Sequence, residues 1–147
     1  MRLTVQSDYS LRVLIYVATK PGDLATIPEI ASAYGISRAH LMKVVHQLGK
    51  LGYLETVRGR SGGFRLAKAA QDICIGAVVK ATEETLALVP CLAHATPNAS
   101  CRIDGACRLK GMLSEALTAF FSVLDRYTLA DIVTGRAAPL RRLLALA

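Results

Sequence analysis

The sequence predicts a mainly α-helical fold carrying one small β-hairpin, and three observations predict it. Two short stretches of helical periodicity, joined by a glycine-containing turn, lie within residues 26–50. A glycine-rich hairpin pattern with two arginines in its turn follows directly. A long stretch with apolar residues at alternating spacings of four and three then runs from near Cys107 to Tyr127.

Ser7–Lys20 places Leu11, Leu14, Ile15 and Ala18 at helical spacing, with Ser7 or Asp8 as the expected cap. Pro21-Gly22-Asp23 breaks the chain. Thr26-Ile27-Pro28-Glu29 reads as a capping box with proline in the first turn, opening a helix through Ala33. Tyr34-Gly35-Ile36 is a tight turn and Ser37 caps the next helix. There Leu41, Val44, Val45 and Leu48 form the inward stripe, while Arg38, His40, Lys43, His46, Gln47 and Lys50 fall outward. Two helices so joined make a helix-turn-helix, whose second helix enters the DNA major groove.

Tyr53–Val57 alternates like a strand and Phe64-Arg65-Leu66 reads as its partner, with Arg58-Gly59-Arg60-Ser61-Gly62-Gly63 between them. A hairpin in this place is a wing, spanning about residues 53–68. Its glycines allow the backbone close to phosphates, and its arginines suit a narrow, electronegative minor groove. Residues 1–84 are therefore expected to form a winged helix-turn-helix DNA-binding domain. Ser37, Arg38, His40 and Lys43 are the expected groove and phosphate contacts, with Arg58, Gly59 and Arg60 in the wing. Arg65 joins them unless strand alternation points it away.

Ile75–Glu84 reads as a short helix and residues 85–106 as a polar loop. The long helix that follows carries a seam of Leu109, Leu113, Ala116, Phe120, Val123 and Tyr127 that suits a partner helix. Leu117, Phe121 and Leu124 widen the stripe toward its own domain. Residues 107–147 are thus expected to hold a dimerisation helix and a tail whose last part, Pro139–Ala147, frays. A homodimer is expected because DNA readers of this kind bind two half-sites.

Charge agrees. The 147-residue chain carries a net +7, and residues 1–68 hold ten lysines and arginines against four acids. A basic front half favours a polyanionic partner. Charged residues interrupt every apolar run before it reaches membrane-spanning length. The opening stretch contains Asp8 and Arg12 and no small-residue cleavage site, so no signal peptide is expected and the cytoplasm is the expected compartment. No nucleophile–base grouping, nucleotide-phosphate loop or paired-carboxylate motif points to an enzyme.

Cys91, Cys101 and Cys107 lie in and just after the 85–106 loop, separated by nine and five residues. Neither gap matches the tight knuckle of a zinc finger. Thiolates hold iron–sulfur clusters or zinc, and softness alone does not choose between them. Three cysteines leave one position for another ligand, for which His94 is a candidate; three incidental thiols is the duller reading. Cys74, between two isoleucines, reads as a small buried hydrophobe.

Met1-Arg2-Leu3-Thr4, Ser7-Asp8-Tyr9 and Leu11-Arg12 resemble the start of the Rrf2 family of bacterial transcription regulators, as does the wing Val57–Leu66. Ala106-Cys107-Arg108-Leu109-Lys110 and Tyr127-Thr128-Leu129-Ala130-Asp131-Ile132 resemble its nitric-oxide-sensing branch. The resemblance implies a homodimeric winged-helix repressor with one iron–sulfur cluster per subunit, 4Fe–4S by expectation and 2Fe–2S after oxygen exposure. Cys91, Cys101 and Cys107 match the cysteine ligands, and Asp8 matches a fourth ligand given by the partner subunit; without the resemblance Asp8 reads as a helix cap. The first cysteine gap is longer than is usual in the family, so part of Leu92–Ser100 would loop out. The expected function is repression at a pseudo-palindromic operator, relieved by nitric oxide. The alternatives are a regulator of the same fold responding to iron or iron–sulfur status, and a zinc- or thiol-stabilised DNA-binding protein without a cluster.

Overall fold

Helix α1 (Val5–Thr19) is the element around which the others are arranged. In the computed structural model, which describes residues 2–20, 22, 24–93 and 101–146, four later helices and the wing pack against it. Val13, Leu14, Tyr16 and Val17 are buried, and Leu11, Ile15 and Ala18 are only partly covered. The buried face is therefore displaced from the expected stripe, because α1 is enclosed on several sides.

The cap of α1 is Thr4, whose Oγ1 accepts from the Ser7 amide at 3.2 Å. This corrects the expectation of Ser7 or Asp8. Ser7 is fully buried, and its hydroxyl lies 2.8 Å from that of Thr82. Asp8 sits in the first turn, where its carboxylate suits the helix dipole and accepts from Arg12 Nε at 2.9 Å.

Helix α2 (Ile27–Tyr34) opens with the expected Thr26/Glu29 capping box and ends at Gly35, whose φ of 65° favours glycine. Partial burial raises the Glu29 carboxyl, but hydrogen bonds from Lys20 and Thr26 outweigh it and leave the group below the ordinary glutamate range. Helix α3 (Arg38–Lys50) starts at Ser37, which accepts from the His40 amide at 3.3 Å. Leu41, Val44 and Leu48 seat it in the core, where burial contributes on the order of 2 kcal/mol each.

Strands β1 (Leu54–Val57) and β2 (Gly63–Leu66) pair antiparallel, with Leu54 opposite Leu66 and Val57 opposite Gly63. The hairpin does not stand alone. Ala25 and Phe64 exchange two backbone hydrogen bonds of 2.9 Å, which stitches the wing to the segment before α2. A Cβ at Gly63 would come within 2.5 Å of the Ala25 carbonyl oxygen, so glycine is required for this approach.

Helix α4 (Ile75–Thr82) follows a second strand-like contact, in which Ile75 N donates to Tyr127 O and Leu129 N donates to Ile73 O. Cys74, expected to be buried, is half-covered; its thiol faces the Asp125 carbonyl oxygen at 3.7 Å. Helix α5 (Arg108–Leu124) packs on α4 through its C-terminal part, with Phe121 buried and Lys80 paired to Asp125 at 2.7 Å. Leu109, Met112, Ala116, Ala119 and Val123 form an exposed row along it at spacings of three and four. Of the expected seam, Leu109, Ala116, Val123 and Tyr127 are exposed, whereas Leu113 and Phe120 are partly covered, and Phe120 lines a groove of about 560 Å³ with Leu117, Phe121 and Leu124.

Helices α6 (Leu129–Val133) and α7 (Ala137–Leu143) return to α1. Arg141 Nε donates to Thr19 O at 3.3 Å and Leu144 is buried, so the tail, expected to fray, is docked. Among the described residues no helix is long and apolar enough to cross a membrane.

Gly63→Ala is expected to lower stability by about 1–3 kcal/mol, as overpacking against rigid backbone does. Urea unfolding of the variant measures this; an unchanged midpoint would show that the Ala25–Phe64 stitch yields freely.

Candidate nucleic-acid interface and cysteine segment

Helix α3 projects one face away from the core. Arg38, His40, Met42, Lys43, His46 and Lys50 are all exposed on it. The helix is held in place from behind by α1. Gln6 Nε2 donates to Gln47 Oε1 at 2.6 Å, and the rings of Tyr9 and His40 meet edge to face at 6.0 Å. Gln47, read as outward from sequence, thus faces α1 instead. Ser37 keeps its position at the exposed start of α3, with its hydroxyl oxygen engaged as the cap.

The wing presents Arg58, Gly59 and Arg60 at its tip, all exposed. Gly59 has a φ of 129°, a backbone form that side chains disfavour, and a Cβ at Gly62 would lie 2.5 Å from the Val57 carbonyl oxygen. The tip is therefore built on backbone packing that only glycine permits. Arg58 and Arg60 form no ion pair among the described residues. Arg65 differs: it stands opposite Glu55 in the hairpin and is paired with its carboxylate, so alternation takes it away from the tip arginines. Met42 was missed by the sequence reading, which sought charge on the outer face of the helix.

The cysteines are arranged less tightly. Cys91 lies in a 3-10 turn, Pro90–Leu92, that packs on α5. Cys107 occupies the N-cap position of α5, while Cys101 is exposed. None is in a disulfide. Asp104, hydrogen-bonded to Lys110 at 2.8 Å, holds that ammonium above its ordinary range, and the thiols of Cys91 and Cys107 act in the same direction. Two of the three sulfurs thus share the surroundings of Lys110. Among the described residues no three His, Cys, Asp or Glu side chains gather around a single point as metal ligands. His94 lies outside the described residues.

Asp8 sits on α1 beside Arg12. Its hydrogen bond raises the Arg12 guanidinium further above its ordinary range against the opposing effect of partial burial, with the carboxylate's charge adding to it. Arg12 also lies 5.7 Å from the ring centre of Tyr34. Asp8 is an ion-pair partner within its own helix, not a cap.

A helix-turn-helix with a cationic outer face, followed by an arginine-tipped hairpin, defines a winged-helix DNA-binding regulator. The Rrf2 family profile, described as an iron-dependent transcriptional regulator, matches residues 3–135, and the chain belongs to that family. It is 53% identical over 136 residues to the HTH-type transcriptional regulator NsrR of Halalkalibacterium halodurans, covering 92% of each chain. It is 51% identical over 137 residues to the regulator of the same name from Bacillus subtilis, again covering 92% of each. In fold it is similar to CymR, the global cysteine regulator of B. subtilis, with a TM-score of 0.71 and 23% identity over 91% of this chain and 97% of that one. It is likewise similar to T. potens IscR, with a TM-score of 0.69 and 22% identity over 90% and 86%. The predicted fold class is borne out, and the curated relatives are transcriptional regulators, not enzymes.

Arg60→Ala is expected to weaken DNA binding and to reduce the slope of log affinity against log salt by about one per subunit, as loss of a phosphate contact does. Arg65→Ala is expected to leave the slope unchanged, since Glu55 already neutralises that charge. Fluorescence anisotropy across a salt series measures both; equal slopes for the two variants would contradict this assignment.

Proposed function

We propose that the chain is a homodimeric repressor whose operator binding is set by an iron–sulfur cluster held on Cys91, Cys101 and Cys107, with nitric oxide as its signal. In this reading residues 1–84 bind DNA through Ser37, Arg38, His40, Lys43, Arg58, Gly59 and Arg60. Residues 85–106 and Cys107 hold the cluster, and the row from Leu109 to Val123 in 107–147 meets the second subunit. DNA-binding relatives at about half identity support the regulator role.

The donor set fits the group chemically. Three thiols outside any disulfide are available, and Cys107 stands at the N-cap position of a 17-residue helix. Soft thiolate donors suit iron–sulfur clusters, of the 4Fe–4S or 2Fe–2S type. Asp8 of the partner subunit is the proposed fourth ligand. Its carboxylate must then exchange Arg12 for the cluster, so ligation frees an arginine on the same helix. A bound cluster supplies the reactivity toward nitric oxide.

The observation that carries the reading is a set of polar contacts tying the end of α4, from which the chain leads into the cysteine segment, to the first turn of α1 and from there to α3. Glu83, two residues before the 85–106 loop, accepts from Thr4 N at 2.8 Å and Thr4 Oγ1 at 3.1 Å. Ser7 and Thr82 reinforce that junction, and Gln6 on the same turn of α1 grips Gln47 on α3. Movement of the loop is therefore delivered to the N-terminal turn of α1 and from there to the helix that enters the groove. Since both recognition helices of a dimer must match half-sites about one turn apart, a small rotation removes specific affinity.

Anaerobically purified protein is expected to absorb in the visible, to lose that absorbance in Cys107→Ala with helicity retained, and to release its operator on titration with nitric oxide. Operator binding that survives saturating nitric oxide but responds to iron withdrawal would transfer the signal to iron status. A colourless protein with stoichiometric zinc would replace the cluster reading altogether.

A further inference from the structure

Met42 is the largest apolar side chain left exposed on α3, at 59% of its full accessible area. It lies in the second turn of the helix, in the half of a recognition helix that reaches base edges. Its neighbours one helical turn away on either side, Arg38 and His46, are exposed and polar. Met42 also lines one wall of a cleft of about 780 Å³ between α3 and the wing, facing Leu54 and Thr56. The core does not need it: Leu41, Val44 and Leu48 fill the buried side of this helix with exposures of 1% or less. An unbranched thioether here contributes little to folding, yet it is suited to an apolar surface of variable shape.

In the major groove the one apolar feature on a base edge is the 5-methyl group of thymine. We propose that Met42 is a specificity-determining residue that reads thymine in each operator half-site, by covering that methyl group while Arg38 and Lys43 hold the flanking polar edges or phosphates. This deepens the reading of α3 as the recognition helix and rests on it. Removing the methyl group exposes the thioether again, and the transfer free energy of one methyl corresponds to about fourfold in affinity per half-site and about fifteenfold for both.

The test uses full-length, anaerobically purified protein and an operator selected from random-sequence DNA. Symmetric thymine pairs in the two half-sites are replaced in turn by deoxyuridine, which differs only by the methyl group. The wild type is expected to lose about fifteenfold affinity at one symmetric pair. Met42→Ala should bind the thymine and uracil operators equally, and Met42→Leu should keep the discrimination. Since Met42 is exposed, both variants should retain the helicity and unfolding midpoint of the wild type. A wild type that selects an operator yet is indifferent to every uracil replacement overturns the inference alone, as does full discrimination in Met42→Ala. Absence of any sequence-selective binding overturns the recognition-helix reading with it.

Discussion

The N-terminal turn of α1 is the constraint on which the remaining structure depends. Thr4, Gln6 and Ser7 are consecutive or nearly so, yet each bonds a different neighbour: Glu83 at the end of α4, Gln47 on α3, and Thr82 on α4. The Ser7–Thr82 pair is buried, and each hydroxyl holds a second partner: Ser7 Oγ accepts from Thr4 Oγ1 at 3.2 Å and Thr82 Oγ1 donates to Val78 O at 2.9 Å. Burial makes this junction directional and hard to loosen piecemeal. Helix α3 is thereby tied to α1, and α1 to the end of α4, after which the chain leads into the cysteine segment.

A second constraint fixes the wing relative to α3. Ala25 holds Phe64 by two backbone hydrogen bonds, and Phe64 is itself buried. Gly62 and Gly63 are required by carbonyl oxygens that leave no room for a side chain. The tip, with Arg58 and Arg60, therefore stands on a rigid base. The wing is thus tied to the segment before α2 and also packs on α3 and α1.

The capping box at Thr26, the turn at Gly35 and the inward stripe of α3 were legible in the sequence because each rests on interactions within a few residues. The cap of α1 was not, since Thr4, Ser7 and Asp8 are all competent caps and the choice is made by Glu83, far along the chain. The stitch at Ala25 leaves no sequence period, being a single residue. Apolar pattern placed the long helix but not its covered face: Leu113 and Phe120 are partly covered, Phe120 by the adjoining groove, while Met112 and Ala119 are left exposed. Met42 escaped notice because a pattern read as apolar-in, polar-out has no place for an exposed methionine. For the cysteines, spacing located the segment but not the mutual placement of the sulfurs, which depends on the packing of Pro90–Leu92 against α5.

The central claim is that the cysteine segment and α3 are coupled through the first turn of α1. Amide hydrogen exchange of the full chain, compared between cluster-loaded protein and protein stripped by an iron chelator, tests it most directly. The account predicts altered protection not only in residues 85–107 but also at Thr82–Glu83, at Ser7–Asp8 and on into α3 around Gln47. A change confined to the cysteine segment, with α1 and α3 exchanging identically in the two states, would contradict it.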